Sequence, residues 1–314
     1  MDRHSNLQDL LDSDQVFLQY VGGPTDLIFN QGFDLPGFAS YPLLETDVGR
    51  TALLNIVQQL IDMAREVGVG VILDTETWVA NRDRGLAIGF TPEKLREINL
   101  ASVEMIAGLQ EKNNDVLTIL SAQMGPRGDG YEAGDQMSVE EAEAYHTEQM
   151  KTLSQTKADF ISAFTLTYPA EAAGIVRAGQ NYGMPVAVAF TVETDGRLTT
   201  GMPLEEAIAI VDEETESGAA YFLINCAHPD HFSDSLSNGP WIERLRGVVV
   251  NASRCSHAEL DEAKELDDGD PKELGVLVGN LRQRFPHFNI VGGCCGTDVR
   301  HMRNIAENAK ISAN

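Results

Sequence analysis

The chain alternates short apolar segments with longer amphipathic ones over most of its length. Eight of the short segments are rich in Val, Ile, Leu, Phe and Ala, a composition typical of strands that are buried in a parallel sheet. Their sequences are VFLQYVGG, VGVGVILDTETW, DVLTILSAQMG, ADFISAFTLTY, MPVAVAFTVET, AAYFLINC, RGVVVNAS and HFNIVGGCCG. The pattern therefore predicts eight strands.

Helical periodicity fills the intervals between these strands. The clearest predicted helices cover residues 50–67, 92–112, 138–157, 169–182 and 203–217, and several of them open with Pro or Ser, which favours a first helical turn. A strand and a helix repeated eight times predict the α/β class, and the usual closed form is a single (β/α)8 TIM-type barrel. We expect residues 1–314 to form one such catalytic domain, because barrels of this length are common.

The chain is strongly acidic, with 23 Lys and Arg residues against 48 Asp and Glu residues and a formal net charge of −25. This charge repels phosphate backbones and anionic lipid surfaces, so neither nucleic acid nor membrane is an expected partner. The acidity either keeps the protein in solution or attracts a cationic substrate, and the sequence leaves both alternatives open. With no apolar signal region at the N-terminus and no apolar run of about 18 residues, a cytoplasmic protein is expected.

Three of the four cysteines stand where predicted strands end. Cys226 closes the sixth strand, and Cys294 and Cys295 follow the eighth. The carboxyl ends of barrel strands carry the reactive groups, and the sixth and eighth strands are near neighbours in the ring, so the three thiols can converge. Cys255 follows the seventh strand, and nothing in its position pairs it with the others.

Three thiolates suit zinc, because they are soft ligands and leave a fourth tetrahedral position open for water or a substrate. A substrate thiol in that position would lose its proton and become nucleophilic. Gly292, Gly293 and Gly296 give the adjacent cysteines the backbone freedom that joint ligation needs. Two alternatives stay open: these glycines cradle a phosphate in a barrel lyase or aldolase, or the chain binds zinc without catalysis. His228 and His257 lie near the ligand loops as a further ligand or a base.

Five motifs together resemble the homocysteine S-methyltransferase family. They are VGGPTDLIF, LDTETWVAN, GPRGDG, INC and GGCCGT, of which the last two are the most specific. The resemblance implies a zinc barrel that methylates a thiol such as homocysteine, as in methionine biosynthesis, with the metal held by Cys226, Cys294 and Cys295. It also implies an onium methyl donor: an S-methylmethionine-like compound, S-adenosylmethionine or a betaine-like compound. The substrate-binding candidates are Gly22, Gly23, Thr75 and Asn225 within the matched motifs, and Thr165 near the end of the fourth strand.

Two positions depart from the family pattern. Val21 stands where the family usually has an aspartate, and Phe164 is followed by Thr165 where the family tends to have a glutamate. Both acidic residues would pair with the ammonium group of homocysteine. Glu76 and Glu193, which lie near strand ends, are the candidates to replace them in substrate binding.

Aromatic side chains after the second, third and fourth strands are candidates for an onium cage. They are Trp78, Tyr131 and Tyr168, and aromatic faces attract cations. Residues 125–136 form a long, turn-rich segment, which is either a lid over the site or an ordinary surface loop. The expected partners are thus a small-molecule thiol acceptor and an onium donor. A homo-oligomer is compatible with the sequence, but no motif fixes one.

Overall fold

Eight parallel strands close into a barrel in chain order in the computed structural model, which describes residues 3–311. The strands are β1 (Phe17–Tyr20), β2 (Gly70–Asp74), β3 (Thr118–Met124), β4 (Phe160–Leu166), β5 (Val186–Phe190), β6 (Tyr221–Asn225), β7 (Leu245–Val250) and β8 (Ile290–Gly293). The ring closes where β8 pairs with β1 from Phe17 opposite Ile290 to Tyr20 opposite Gly293. Each of the eight predicted strands is present, and the predicted (β/α)8 barrel is confirmed.

Helices surround this barrel and follow its strands. They are α1 (Arg3–Leu11), α2 (Gly23–Phe29), α3 (Asp47–Val67), α4 (Arg82–Ala87), α5 (Pro92–Lys112), α6 (Val139–Leu153), α7 (Pro169–Tyr182), α8 (Leu204–Thr215), α9 (Pro229–Phe232), α10 (His257–Asp261), α11 (Pro271–Arg284) and α12 (Val299–Ile311). The predicted bounds of α5 and α7 match. Helix α3 begins earlier than predicted because Thr46 caps it by accepting a hydrogen bond from the Gly49 amide. Within residues 3–311, no helix is both long enough and apolar enough to span a membrane.

The two faces of each strand contribute to different cores. In β6, Phe222 and Ile224 pack in the layer between the sheet and the helices, whereas Tyr221 and Leu223 pack inside the barrel. Side chains of α1 join the interior cluster and cover the amino-terminal end of the barrel. The opposite end, where the strands terminate at their carboxyl ends, is left for the functional site.

Candidate metal centre and substrate pocket

Cys226 is held in an uncommon backbone conformation directly after β6. Its φ angle is +54°, in the left-handed region that non-glycine residues rarely adopt, and its amide donates to the Val249 carbonyl at 2.9 Å. Thr165, near the end of β4, also has a positive φ of +62°, at a register shift between β4 and β5. Strained residues and strand irregularities of this kind cluster at functional sites.

Cys294 and Cys295 occupy a tight turn after β8. The Thr297 amide donates to the Cys294 carbonyl at 3.1 Å, which closes the turn. Gly296 has a φ of +75°, and a turn of this shape needs a residue without a Cβ at that position. Gly296 therefore provides the backbone conformation that the cysteine turn requires, as predicted.

The turn brings both thiols to Cys226. The three Sγ atoms lie within 4.8 Å of one another, and those of Cys294 and Cys295 are 4.0 Å apart. Tetrahedral zinc–sulfur bonds of about 2.3 Å place neighbouring sulfurs about 3.8 Å apart, so the spacing fits a single zinc ion. Cys226 and Cys294 are buried and Cys295 is half-buried. Among residues 3–311, these three form the one group of clustered His, Cys, Asp or Glu side chains with ligand geometry.

The pKa values of the three cysteines are shifted in different directions. Hydrogen bonds from Cys294 and Cys295 hold the pKa of Cys226 well below its ordinary value, and the same contacts with Cys226 raise the pKa of Cys294 and of Cys295. The Tyr131 hydroxyl lies 3.2 Å from the Cys226 Sγ and 3.6 Å from that of Cys295. Asn251 donates its side-chain N–H to the Cys226 Sγ at 3.6 Å. The contacts within the cluster therefore stabilise a thiolate on Cys226, the form in which cysteine binds metals.

Among residues 3–311, neither candidate histidine belongs to the cluster of potential metal ligands. His257 Nε2 lies 2.8 Å from the Cys226 carbonyl oxygen, and Nδ1 lies 3.0 Å from a Glu193 carboxylate oxygen. Both partners are acceptors, so the arrangement favours the doubly protonated imidazolium. Burial lowers the pKa of His257, but the Cys226 charge and these hydrogen bonds outweigh it and raise that pKa. His228 Nδ1 accepts from the Asp230 amide at 3.2 Å, and burial lowers its pKa to about 4.

A pocket opens beside the thiols at the carboxyl end of the barrel. Its wall combines Cys294 and Cys295 with aromatic rings and two carboxylates. The aromatic side chains are Tyr20, Phe38, Trp78, Tyr131 and Phe164, and the carboxylates belong to Asp74 and Glu76. Residues 125–136 bring Tyr131 over the thiols, as a lid would. Tyr168 has a different position, since its hydroxyl accepts a hydrogen bond from the Met137 amide at 3.1 Å and its side chain is buried.

The predicted substrate-binding residues divide between the pocket and its supports. Gly23, Trp78 and Thr165 line the pocket. The Thr75 hydroxyl instead contacts Thr77 Oγ1 at 2.7 Å. Glu193 pairs with His257, next to Cys226, as described above. Gly22 packs against the Cys294 carbonyl oxygen, and Asn225 contacts Thr165. For all seven residues, a role in substrate binding stays a prediction.

The glycine pair before the cysteines has a packing explanation. A Cβ at Gly292 would collide with the Gln19 carbonyl oxygen of the adjacent strand β1, and one at Gly293 would collide with Thr297. Packing against neighbouring protein atoms therefore explains both glycines without a phosphate ligand. Cys255 is exposed and lies 3.8 Å from an Asp267 oxygen, outside the thiol cluster.

Two polar residues of the site were missed by the sequence reasoning. Asp74 ends β2 within LDTET, and Asn251 follows β7 within VVVNAS. Both are polar residues at the carboxyl ends of apolar strands, which is the same signal that identified Cys226. Applied to every strand, that rule would have found them.

We expect Asn225→Leu to destabilise the protein by roughly 1–3 kcal/mol. Asn225 is fully buried, accepts from the Thr165 amide at 3.0 Å and donates to the Thr165 hydroxyl at 2.9 Å. Leucine would leave the buried backbone N–H of Thr165 without an acceptor, while Thr165 would keep its strained backbone conformation. Thermal unfolding measures the effect. Thr165→Ser, which retains both hydrogen bonds, is the control and should unfold near the wild-type temperature; equal losses would show that the amide pair is not the cause.

Comparison with known proteins agrees with this geometry. A profile of the homocysteine S-methyltransferase family matches residues 27–309. Betaine–homocysteine S-methyltransferase 1 of Rattus norvegicus is 24% identical over 269 residues, which cover 75% of this chain and 60% of the relative. The Bos taurus protein of the same name is 22% identical over 263 residues with the same coverage. The chain thus spans about 60% of the length of these relatives.

Solved structures show the same fold. The homocysteine methyltransferase MmuM from Escherichia coli superposes with a TM-score of 0.70 in its oxidized form, at 19% identity over 96% of this chain and 98% of that one. Its metallated form gives a TM-score of 0.69, at 19% identity over 97% and 99% of the two chains. The family match covers nearly the whole described chain and ends beyond the cysteine turn. The chain belongs to the homocysteine S-methyltransferase family.

Proposed function

We propose that this chain is a zinc-dependent S-methyltransferase that transfers a methyl group from an onium donor to a small-molecule thiol. The observation that carries the proposal is the set of three thiols within 4.8 Å at the carboxyl end of the barrel, beside a pocket. Cys226, Cys294 and Cys295 would hold the metal. Membership of the family supports the same activity.

The chemistry requires a thiol that is deprotonated near neutral pH. When bound, zinc would lower the pKa of a thiol in its open fourth position and so favour the nucleophilic thiolate. Methyl transfer is then an in-line displacement, in which the new sulfur–carbon bond forms as the methyl–onium bond breaks. The donor leaves as a neutral amine or thioether and keeps the electron pair of the broken bond. Alignment of the two substrates is the main task left to the protein.

Residues around the cluster are suited to that task. The His257 imidazolium, fixed by Glu193, places a positive charge beside Cys226 and offsets the charge of the thiolates. Tyr131 covers two of the sulfurs from the segment of residues 125–136 and limits the access of water. The rings of Phe38 and Trp78, centred 6.4 Å apart and nearly perpendicular, present aromatic surface to a methylated cation.

The proposal also specifies the metal ion, the substrate-binding residues and the cellular location. Zinc is the proposed ion, because thiolate ligands in tetrahedral geometry favour it. The proposed substrate-binding residues are those predicted from the sequence, Gly22, Gly23, Thr75, Trp78, Thr165, Glu193 and Asn225, some by contact and others by support. A cytoplasmic location, which keeps thiols reduced, belongs to the proposal as well, and a homo-oligomer is compatible with it.

The test is a metal analysis followed by a turnover screen on the same preparation. We expect about one zinc ion per chain and methylation of at least one small thiol, detected by mass spectrometry. The donors are S-methylmethionine, S-adenosylmethionine, betaine and dimethylsulfonium compounds, and chelator-treated protein is the control. Zinc without transfer to any thiol would favour a storage or sensing protein, and absence of zinc after reconstitution would contradict the proposal outright.

A further inference from the structure

One arginine connects the two chain segments that cover the pocket. The first mouth segment, residues 34–39, follows α2, and the second mouth segment, residues 125–136, follows β3. Arg84, on α4, donates from Nη2 to the Gly37 carbonyl at 3.0 Å and from Nη1 to the Gly128 carbonyl at 2.7 Å. A single guanidinium group therefore binds both mouth segments at once.

Both mouth segments have few other hydrogen bonds to the rest of the protein. Within residues 3–311, Arg84 is the one group outside the first mouth segment that forms a hydrogen bond with it. In the second mouth segment, residues 128–135 have as outside hydrogen-bond partners in the described chain only Arg84 and, through Tyr131, two of the thiols. Loops with so few hydrogen bonds open locally at a low free-energy cost, so the loss of one bond changes how often they open.

The backbone of the first mouth segment is strained at the point where Arg84 binds. Gly37 has a φ of +61° and Phe38 a φ of +62°, which is uncommon for a bulky residue. Such conformations persist only where the surrounding structure determines them. The hydrogen bond to the Gly37 carbonyl and the edge contact of Phe38 with the Trp78 ring provide that support.

The helix that carries Arg84 is itself firmly placed. The Arg84 amide donates to the side chain of Asn81, the N-cap of α4, at 3.1 Å, and Asn81 Nδ2 donates to the Pro126 carbonyl at 3.1 Å. Gly85 packs so closely against Leu95 of α5 that a Cβ would collide with it. Helix α4 is therefore held against α5 and against the start of the second mouth segment.

The guanidinium group of Arg84 is used for geometry and not for an ion pair. Although the chain has 48 Asp and Glu residues, no salt bridge within residues 3–311 includes Arg84. Its planar fork suits two carbonyl groups in fixed directions. Its Cζ also lies 5.7 Å from the centroid of the Trp78 ring, whose Nε1 donates to the Phe164 carbonyl at 3.2 Å. Arg84 thus contacts both mouth segments and an aromatic wall of the pocket between them.

We infer that Arg84 is a positioning residue that keeps the pocket closed by holding the two mouth segments together over it. Two substrates have to enter the pocket, and it then has to close for them to be aligned away from water. Two hydrogen bonds from a half-buried side chain can break and re-form at modest cost, which suits repeated opening. The closure is a property of this chain alone, and only its effect on turnover rests on the proposed function.

Limited proteolysis with chymotrypsin on the protein as purified tests this inference. The protease cuts after aromatic residues, and Phe38 and Tyr131 lie in the first and second mouth segments. Arg84→Met keeps an unbranched side chain but removes every donor. We expect cleavage after Phe38 and after Tyr131 to become roughly fivefold to tenfold faster, as for the loss of one hydrogen bond in each segment. Mass spectrometry of the fragments identifies the cut sites.

Three controls accompany this measurement. Arg82→Met makes the same change on the same helix, but Arg82 pairs with Asp83 at 3.0 Å and binds neither mouth segment, so cleavage should keep the wild-type rate. Cleavage after Trp241, which precedes β7 outside the pocket, should be equal in all variants. Arg84→Lys should lie between the wild type and Arg84→Met, because an ammonium group lacks the planar fork.

The outcomes separate closure from general stability and from the chemistry. Faster cleavage in only one mouth segment, or in neither, would overturn the inference, and so would equal acceleration after Trp241 with a lower unfolding temperature. None of these results requires methyl transfer, so they stand if the proposed function fails. If transfer is observed, KM should rise about tenfold in Arg84→Met with kcat and zinc content nearly unchanged. A lower kcat with an unchanged KM would contradict a role in closure.

Discussion

Cys294→Ser is expected to remove bound metal and methyl transfer together while the barrel stays folded. Cys294 is 5% exposed and is one of the three converging thiols. A serine hydroxyl is a hard ligand that keeps its proton near neutral pH, so it cannot replace a thiolate on zinc. Changes in groups that only support a ligand weaken metal binding by about 10- to 100-fold, and loss of a ligand itself should exceed that.

Three measurements on one preparation check this result. Zinc content after dialysis against a weak chelator should fall to background, transfer to the best thiol should be lost, and circular dichroism should keep the wild-type spectrum. Cys255→Ser is the matched control, because it removes an exposed thiol outside the cluster. Full zinc retention with wild-type turnover in Cys294→Ser would mean that the thiol cluster is not the metal site.

The barrel could be predicted because its signals are local. Each strand is a largely apolar run, and the helices α5 and α7 begin at Pro92 and Pro169, which fix the first turn. The convergence of Cys226 with Cys294 also followed, since strand order alone places the ends of β6 and β8 on the same rim. These inferences need the topology but not the conformation of any loop.

Contacts that depend on the conformation of loops around the thiols could not be predicted in the same way. Tyr131 reaches the thiols only because residues 125–136 fold back over the barrel, and no periodic pattern describes such a segment. The contact of His257 with Glu193 joins segments that follow β7 and β5, and it depends on where α10 begins.

The adjacent glycines after β1 show how far one motif can mislead. From the sequence, Gly22 and Gly23 were equal candidates for substrate binding. In the structure a Cβ at Gly22 would lie within 3.0 Å of the Cys294 carbonyl oxygen and of the Tyr20 and Thr297 side chains, whereas one at Gly23 would meet only Ile56 Cδ1, at 3.9 Å. The first glycine supports the cysteine turn, and the second borders the pocket.

We therefore expect Gly22→Ala to damage the metal centre and Gly23→Ala to be tolerated. The added methyl group at position 22 has no room, because the Cys294 carbonyl is fixed by the Thr297 amide and Thr297 is fixed in turn by the Tyr20 hydroxyl at 2.9 Å. Overpacking of this kind costs roughly 1–3 kcal/mol. The turn that carries two of the three thiols must shift to accept it.

Zinc affinity by competition with a chromophoric chelator, together with thermal unfolding, measures both effects. Gly22→Ala should bind zinc at least about tenfold more weakly, comparable to loss of a group that orients a metal ligand, and should unfold at a lower temperature. Gly23→Ala should match the wild type in both, since an alanine in the first turn of α2 is compatible with a helix. Equal behaviour of the two variants would show that the approach of β1 to the Cys294 turn does not determine the geometry of the thiols.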